Sequence, residues 1–298
     1  MNLKKFLRLM PISKREKIQK VIDTLTMGGR SKKTIENYVC AINRFLDYFE
    51  NKDISKLNES DVIEYIKNNY LNKQCATNTY NMNISAIKYF YSINYNKELN
   101  NKLLPHAKLV KKLPTTIDKE TFLKILNEEK NLKHKCWLLL GYCSGLRIEE
   151  VVSVKIKNIN SKEHELKILG KRKKERFTIL PDITIKYLRL YYKEKYRKEF
   201  FHKENKTGYL FEGNQGEDHI SVNTVTNYFR EIKIKYNLDK DITFHSLRHS
   251  FATNFIKAGG DPFILKSMLG HTSLNTTSIY IHMGRDFNNL KGVNYDKI

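Results

Sequence analysis

The stretch CWLLLGYCSGLRIEE, residues 136–150, joins a nearly uncharged apolar run to a short polar turn. The apolar run predicts a helix buried on all sides, because a helix with a solvent-facing side carries polar residues there. Gly145 stands where a left-handed residue commonly ends a helix. Arg147 then begins another helix, at the end where a positive charge opposes the helix dipole. Its position therefore indicates an acidic partner or an anionic ligand.

The segment that follows changes to a two-residue period. LKILGKRKKERFTIL, residues 166–180, alternates apolar and polar residues on both sides of a basic run. This pattern predicts a β-hairpin with Leu166 and Ile168 on the same side as Phe177 and Ile179. The basic run GKRKKER then forms the turn, which is either simply solvated or reaches a phosphate.

The first third of the chain has the pattern of a small helical bundle. Residues 31–50 place one apolar stripe on a long helix. Ser60 is placed to cap a second helix, and Tyr80, Ile84, Ile87 and Tyr91 share a face of a third. This part contains no acid–base grouping, so binding or scaffolding is its expected role. The stripe consists of Ile35, Tyr38, Val39, Ile42, Phe45, Leu46 and Phe49.

Residues 100–116 interrupt these patterns with two prolines, several lysines and no period. Such a composition indicates a linker. We therefore expect a helical domain over residues 1–100, a basic linker over 101–116 and a second domain over 117–298. The second domain is expected to be mainly α with a small β-sheet, with a helix capped by Asp118 and further helices from Pro181 onwards.

The charge of the chain is strongly positive: 54 Lys and Arg against 32 Asp and Glu give +22. This excess favours an extended polyanion as partner, although a lysine-rich proteome produces the same composition. No apolar run reaches the ~18 residues that a membrane span needs, so we expect a cytoplasmic protein without a membrane partner. The four cysteines lack the spacing of a zinc site or a disulfide framework.

Two further stretches carry unusual polar residues. In FHSLRHSFAT, residues 244–253, His245 and Arg248 are three apart and share a helix face, with His249 expected off that face. In LGHTSLNTTSIYIHM, residues 269–283, His271 follows a glycine that fits a helix end, and Tyr280 lies nine residues later. Each feature alone is more often structural: a histidine–arginine pair within a fold, and a tyrosine ring in a core.

Taken together, two arginines, two histidines, a lysine and a tyrosine fit attack on a phosphodiester. Guanidinium groups bind the non-bridging oxygens and offset the charge that grows in the transition state. A phenol assisted by a base is the nucleophile, and a lysine protonates the departing oxygen. This chemistry needs no metal, cofactor or ATP. The sequence also lacks the clustered carboxylates of a two-metal nuclease and a Walker-type glycine loop.

In this order, SGLRIEEVVSVKIKNI, HSLRHSFAT and LGHTSLNTTSIYIH resemble the tyrosine recombinases, or phage integrase family, and the likeness covers essentially the whole chain. The resemblance implies an N-terminal core-binding, SAM-like domain and an α+β catalytic domain that clamp DNA. It implies that Arg147 and Arg248 bind the scissile phosphate, with Glu150 as a supporting acid. His245 would be the base or orienting group. His271 would hydrogen-bond the phosphate, Lys171 would be the general acid, and Tyr280 would become linked to the 3′-phosphate.

The sequence departs from the family at the hairpin turn, where Gly170, Lys171 and Arg172 replace the usual Gly-Lys-Gly. A residue with a Cβ replaces a flexible glycine, so Lys173 and Lys174 remain alternatives for the acid. Candidate DNA contacts are Lys32, Lys33, Lys108, Lys111, Lys112, Arg172, Lys173 and Lys174.

The resemblance implies a site-specific recombinase for integration and excision of a mobile element or for replicon resolution. Its expected partners are double-stranded DNA with inverted-repeat core sites and three further copies of the chain, as a tetramer on two sites. The free protein is expected to be a monomer or weak oligomer. Two alternatives are a DNA-relaxing enzyme like the type IB topoisomerases and a catalytically inactive DNA-binding relative.

Overall fold

The computed structural model describes residues 3–108, 113–170, 175–198, 208–213 and 218–270. The chain divides into two compact units, Met1–Lys111 and Lys112–Ile298. None of the helices in these described ranges combines the length and apolar character needed to cross a membrane.

The elements of the first unit are all helices in its described residues. A 3-10 turn, Ile54–Lys56, precedes the fourth helix, and a π-helical turn, Lys67–Leu71, extends it. The helices are α1 Leu3–Arg8, α2 Ile12–Met27, α3 Lys32–Tyr48, α4 Glu59–Ile66 and α5 Thr77–Tyr95.

Helix α3 confirms the predicted apolar stripe. Its first turn is capped by Ser31, whose hydroxyl accepts a hydrogen bond from the backbone N–H of Thr34 at 3.2 Å, which satisfies one of the unpaired donors at the helix start. Val39, Ile42 and Phe45 are fully buried. The face predicted for the third helix is also buried on α5, so burial of these two stripes forms the core of the unit.

The predicted cap of α4 is wrong by two residues. Asn58, rather than Ser60, accepts from the N–H of Asp61 at 3.0 Å, and the Asp61 carboxylate accepts from the N–H of Asn58 at 3.0 Å. This reciprocal pair satisfies two donors at once. Starting the helix at Ser60 would give up both hydrogen bonds.

The first part of the expected linker is hydrogen-bonded to α5. Asn81 donates to the Ala107 carbonyl at 2.9 Å and accepts from the Ala107 N–H at 2.8 Å. Tyr80 donates to the Pro105 carbonyl at 3.0 Å, and Lys88 to the Leu104 carbonyl at 2.6 Å. The chain therefore stays attached to the first unit as far as Ala107.

The second unit combines seven helices in its described residues with one antiparallel sheet in the strand order β1-β2-β3. Every residue of α7 from Cys136 to Tyr142 is buried, which confirms the helix expected to be apolar on all sides. The elements are α6 Lys119–Glu128, α7 Leu132–Tyr142, α8 Ile148–Val152, β1 Ile159–Asn160, β2 Glu165–Leu169, β3 Glu175–Ile179, α9 Asp182–Lys198, α10 Val222–Lys235, α11 Phe244–Lys257 and α12 Pro262–Leu269.

The face predicted for β3 is wrong. Leu166 pairs with Thr178 and Ile168 with Arg176, so these two polar residues share the inward side of the sheet. Phe177 is about half exposed, at 52%. A shift of one residue in register reverses the face of every side chain on a strand, and the length of the turn sets that register. The inward polar groups are satisfied: the Thr178 hydroxyl donates to the Ser144 carbonyl at 2.7 Å.

Gly145 confirms the predicted left-handed turn after α7, with φ of +66°. Its surroundings add a second constraint. A Cβ built at this position would lie 2.5 Å from Cδ1 of Phe251 and 3.0 Å from Cδ2 of Leu269. The turn is therefore packed directly against the residues that bring α11 and α12 to it.

We expect Gly145→Ala to lower the free energy of unfolding by about 3 kcal/mol, through left-handed strain and overpacking together. Gly259→Ala is the matched control, since Gly259 has φ of +82° but no described heavy atom within 4 Å of its Cβ position. Only the backbone cost, about 1 kcal/mol, applies there. Urea unfolding of both variants measures the difference, and equal losses would contradict the packing argument.

Candidate active site

The start of α8 supplies the acidic partner that Arg147 requires. The Glu150 carboxylate accepts from the backbone N–H of Arg147 at 2.8 Å and from its guanidinium Nη1 at 3.0 Å. Glu149 and Glu150 both lie in the first turn, where negative charge is favoured by the helix dipole. The side chain of Arg147 remains one third exposed, so it is held at one edge and accessible to a ligand.

Arg176 on β3 is the strongest partner of the same carboxylate, and the sequence interpretation missed it. Its Nη1 and Nη2 donate to the two oxygens of Glu150 at 2.7 and 2.8 Å. Its Nε donates to the Met268 carbonyl at 2.7 Å. The side chain is only 8% exposed. The available signal was strand alternation: with the correct hairpin register, Arg176 falls on the inward face opposite Ile168.

Arg248 reaches the same cluster from α11. Its guanidinium is almost completely buried, at 1% exposure, and lies 3.8 Å from the Glu150 carboxylate. Nη1 donates to the Gly145 carbonyl at 2.6 Å, and Nη2 donates to the Leu269 carbonyl. Arg248 therefore ties α11 to the turn after α7 and to the end of α12.

Both buried arginines donate hydrogen bonds to the C-terminal end of α12. The carbonyls of Met268 and Leu269 accept from Arg176 and Arg248, respectively. Terminal carbonyls have no partner within their own helix, and positive charge is favoured at that end. Gly270 then ends the helix with φ of +63°, as predicted from the sequence. The next residue is His271, which lies outside the described residues.

The electrostatics of the cluster keep Glu150 ionised. Burial opposes its charged form, but the hydrogen bonds and charge of Arg176, followed by those of Arg147, outweigh burial and hold the pKa of Glu150 below its usual value. One carboxylate faces three guanidiniums, so the cluster has a net positive charge. Such a site attracts an anion, and arginine forks suit the oxygens of a phosphate.

His245 lies on the accessible side of α11, within the field of these arginines. Partial desolvation of the His245 ring disfavours its charged form, and the positive charges of Arg248 and Arg147 disfavour it further. The pKa of His245 is therefore below its usual 6.5, which leaves the imidazole neutral at pH 7. A neutral ring can accept a proton or a hydrogen bond.

The expectation that His249 lies off the face shared by His245 and Arg248 is wrong. The two ring centroids are 4.6 Å apart and nearly perpendicular, because residues four apart are neighbours on a helix. Burial, then the neighbouring His245 and Arg248, lower the pKa of His249 to about 4. His249 is thus a second neutral ring that packs beside the first.

Several candidate residues lie outside the described residues, and the structure places only part of the expected set together. Arg147 and Arg248 meet at the Glu150 carboxylate, and His245 lies within electrostatic range of both arginines. Lys32, Lys33 and Lys108 are exposed on the first unit. Within the described ranges, no three His, Cys, Asp or Glu side chains are grouped to hold a metal ion. The candidates outside the described ranges are Lys111, Lys112, Lys171, Arg172, Lys173, Lys174, His271 and Tyr280.

Comparison with known proteins matches both parts of the chain to one family. Residues 115–285 match the phage integrase family, and residues 18–101 match the phage integrase N-terminal SAM-like domain. A tyrosine recombinase of Thermosipho africanus is 30% identical over 267 residues, covering 85% of this chain and 89% of that protein. The tyrosine recombinase XerD of Staphylococcus aureus is 28% identical over 268 residues, covering 86% and 90%.

Solved structures share the fold at lower identity. A lambda integrase dimer bound to a COC′ core site aligns with a TM-score of 0.70 and 18% identity, covering 93% of this chain and 98% of that one. The XerH recombinase bound to palindromic difH substrate aligns with a TM-score of 0.69 and 22% identity, covering 85% and 77%.

We expect Glu150→Gln to lower the free energy of unfolding at pH 7 by about 3 kcal/mol, because it leaves buried guanidiniums without their counter-charge. Glu149→Gln, which removes the same charge from the exposed neighbouring position, should cost less than about 1 kcal/mol. Chemical unfolding of both variants measures this, and equal losses would contradict the proposed importance of burial.

The pH dependence of the Glu150 effect follows from its lowered pKa. A carboxyl with a depressed folded-state pKa stabilises fully above its unfolded value, near 4.5, and loses this contribution as the pH falls through the folded value. The stability gap between the wild type and Glu150→Gln should therefore close in acid. A gap that widened below pH 4.5 would show that the ionised carboxylate is not its source.

Proposed function

Because the chain belongs to the phage integrase family and is therefore a site-specific DNA recombinase, we propose that it cuts and rejoins strands through a phosphotyrosine intermediate on Tyr280. The observation that carries this proposal is the cluster of Arg147 and Arg248 around Glu150. The cluster is positive, rigidly hydrogen-bonded and open at Arg147, as a site for one phosphate group requires.

In this proposal, Arg147 and Arg248 bind the non-bridging oxygens of the scissile phosphate. Arg248 is fixed by carbonyls of Gly145 and Leu269, and Arg147 by the carboxylate of Glu150. Preorganised donors stabilise developing negative charge without a cost of reorganisation during the reaction. Glu150 supports both arginines and does not itself touch the DNA.

The covalent steps are assigned from the motifs. The Tyr280 oxygen attacks phosphorus, and the 5′-oxygen leaves with a proton from Lys171, with Lys173 and Lys174 as the alternatives. His271 hydrogen-bonds the phosphate. A 5′-hydroxyl from a second strand then attacks the phosphotyrosine and releases Tyr280. One ester replaces another at each step, so the bond energy is conserved and no ATP is consumed.

His245 is proposed to accept the phenolic proton of Tyr280 or to orient that hydroxyl. The neutral state that this role requires is favoured by partial burial of the ring and then by the positive charges of Arg248 and Arg147, which together lower the pKa of His245. A base with a pKa lowered below 6.5 retains its accepting nitrogen throughout the neutral range.

The proposed partner is double-stranded DNA with inverted-repeat core sites. Site-bound complexes are named among the solved structures of similar fold, including lambda integrase on a core site and XerH on difH. The net charge of +22 favours a broad phosphate interface. Proposed phosphate contacts are Lys32, Lys33, Lys108, Lys111, Lys112, Arg172, Lys173 and Lys174.

We further propose a core-binding domain over residues 1–100, a basic linker over 101–116 whose first part is hydrogen-bonded to that domain as far as Ala107, and a catalytic domain with a C-terminal tail over 117–298. Four copies would assemble on two DNA sites. The free protein would be a monomer or weak oligomer in the cytoplasm. Integration or excision of a mobile element and replicon resolution both fit this arrangement. The type IB topoisomerase-like and inactive alternatives are not favoured, since the relatives are named as recombinases.

We expect wild-type protein to form a covalent complex with a suicide duplex, and Tyr280→Phe to form none, because the variant lacks the attacking oxygen. The core site is first selected from random duplex DNA, and the substrate is nicked beside the cleavage point to trap the adduct. Denaturing gels measure it. Tyr192→Phe, a change at a part-exposed ring on α9, should react like the wild type. Absence of a wild-type adduct would refute the enzymatic proposal, and an adduct with Tyr280→Phe would refute the nucleophile.

We expect the acid limb of the cleavage rate to have its midpoint below pH 6.5, because the pKa of His245 is lowered and the neutral ring is the active form. His245→Gln should reduce the rate by about 100-fold and remove this acid limb. Single-turnover cleavage of the suicide duplex against pH measures both. A midpoint above 6.5 in the wild type would contradict the role or the lowered pKa.

A further inference from the structure

We propose that Arg176 is a positioning residue for DNA cleavage: it holds Glu150 and the end of α12 together, so that Arg147 and Arg248 are presented to the phosphate. The proposal rests on the proposed function and adds a residue from β3 to its machinery. Arg176 makes three hydrogen bonds of 2.7 to 2.8 Å, two to Glu150 and one to the Met268 carbonyl. It is nearly fully buried, so it supports the site from behind.

The contacts of Arg176 require an arginine. Nη1 and Nη2 face the two carboxylate oxygens as a planar fork, while Nε points to a different element. A lysine has donors on one nitrogen only and cannot bridge both directions with the same geometry. Gly270 leaves space for the Arg176 side chain, because a Cβ on Gly270 would lie only 2.9 Å from Cδ of Arg176. The glycine of the Leu-Gly-His motif is thus constrained by Arg176 as well as by its positive φ.

Arg176 also determines how strongly the Glu150 carboxylate interacts with Arg147 and Arg248. The Arg147 guanidinium donates to one Glu150 oxygen at 3.0 Å and Arg248 lies 3.8 Å away, whereas the Arg176 guanidinium donates to both oxygens. Without Arg176, the buried carboxylate would need other donors, because an under-paired charge is costly in a protein interior. The nearest donors are the two arginines assigned to the phosphate. Arg176 therefore keeps Glu150 from binding Arg147 more tightly than the 3.0 Å hydrogen bond that positions it, and from pulling Arg248 closer than 3.8 Å.

The position of Arg176 in the chain links two further parts of the proposed site. It lies two to five residues after the candidate acids Lys171, Lys173 and Lys174, in the strand that leaves the hairpin turn. Through the Met268 carbonyl it holds the helix that leads to His271. One side chain thus connects the elements that carry the general acid, the clamp and the phosphate-binding histidine.

The test compares Arg176→Gln, Arg176→Lys and the double variant Arg176→Gln/Glu150→Gln. Lys167→Gln is the control, because Lys167 pairs with Glu175 on the outward face of the same hairpin. Single-turnover cleavage of the suicide duplex at saturating protein measures positioning. Gel-shift binding to the same site measures DNA affinity, and circular dichroism confirms folding. The control should cleave and bind like the wild type.

For Arg176→Gln we expect cleavage to fall by about 100-fold, as for a clamp displaced by about 1 Å, with DNA affinity changed less than about 3-fold. The double variant should recover about 10-fold over Arg176→Gln, because no carboxylate remains to attract Arg147 and Arg248. Arg176→Lys keeps the charge and loses one direction of contact, so its loss should be about 10-fold.

The outcomes distinguish a failure of the positioning role of Arg176 from a failure of the proposed function. If the wild type forms no adduct, the proposed function fails. If the wild type reacts and folded Arg176→Gln or Arg176→Lys reacts equally fast, the positioning role is overturned. If the double variant is no faster than Arg176→Gln, competition for the carboxylate is overturned and Arg176 is a purely structural ion-pair partner. If Arg176→Gln does not fold, Arg176→Lys decides the question: a folded Arg176→Lys that cleaves as fast as the wild type overturns the positioning role, and a loss of about 10-fold at unchanged DNA affinity supports it.

Discussion

The carboxylate of Glu150 is the interaction on which the catalytic unit depends. It is a buried negative charge, and such a charge is tolerated only when neighbouring donors satisfy it. Those donors come from α8, β3 and α11. The arginines on β3 and α11 also donate hydrogen bonds to two backbone carbonyls at the end of α12. Four elements from three separate regions of the sequence are therefore placed relative to a single side chain.

This arrangement explains how a site rich in positive charge can stay compact before DNA arrives. Three guanidiniums repel one another, and one carboxylate together with the negative ends of backbone dipoles offsets part of that repulsion. Arg248 is held by carbonyls at the turn of Gly145 and at the end of α12. The apolar helix α7 supports that turn from inside the core. The remaining positive charge is what a phosphate group can neutralise.

The sequence was sufficient where one residue determines the outcome locally. Gly145 makes the predicted left-handed turn and Gly270 ends a helix as predicted, and the acidic partner that the position of Arg147 indicated is present as Glu150, the acid that the resemblance implied. Prediction failed where a choice depended on neighbours. Asn58 replaced Ser60 as a cap because Asp61 could reciprocate, and the inward face of β3 depended on a turn length that periodicity does not reveal.

Arg176 was missed for a related reason, which concerns how basic runs are interpreted. In GKRKKER the cations look equivalent, and a run of this kind usually indicates a solvated turn. Strand pairing makes them different, because alternation turns Arg176 inward opposite Ile168 while Glu175 faces outward to Lys167. The guanidinium is then the side chain suited to the buried position, since it keeps its charge and has donors in several directions. The net charge of +22 therefore includes cations of two kinds: exposed ones at the surface, and the buried Arg176 and Arg248, which hold the site together through Glu150 and backbone carbonyls.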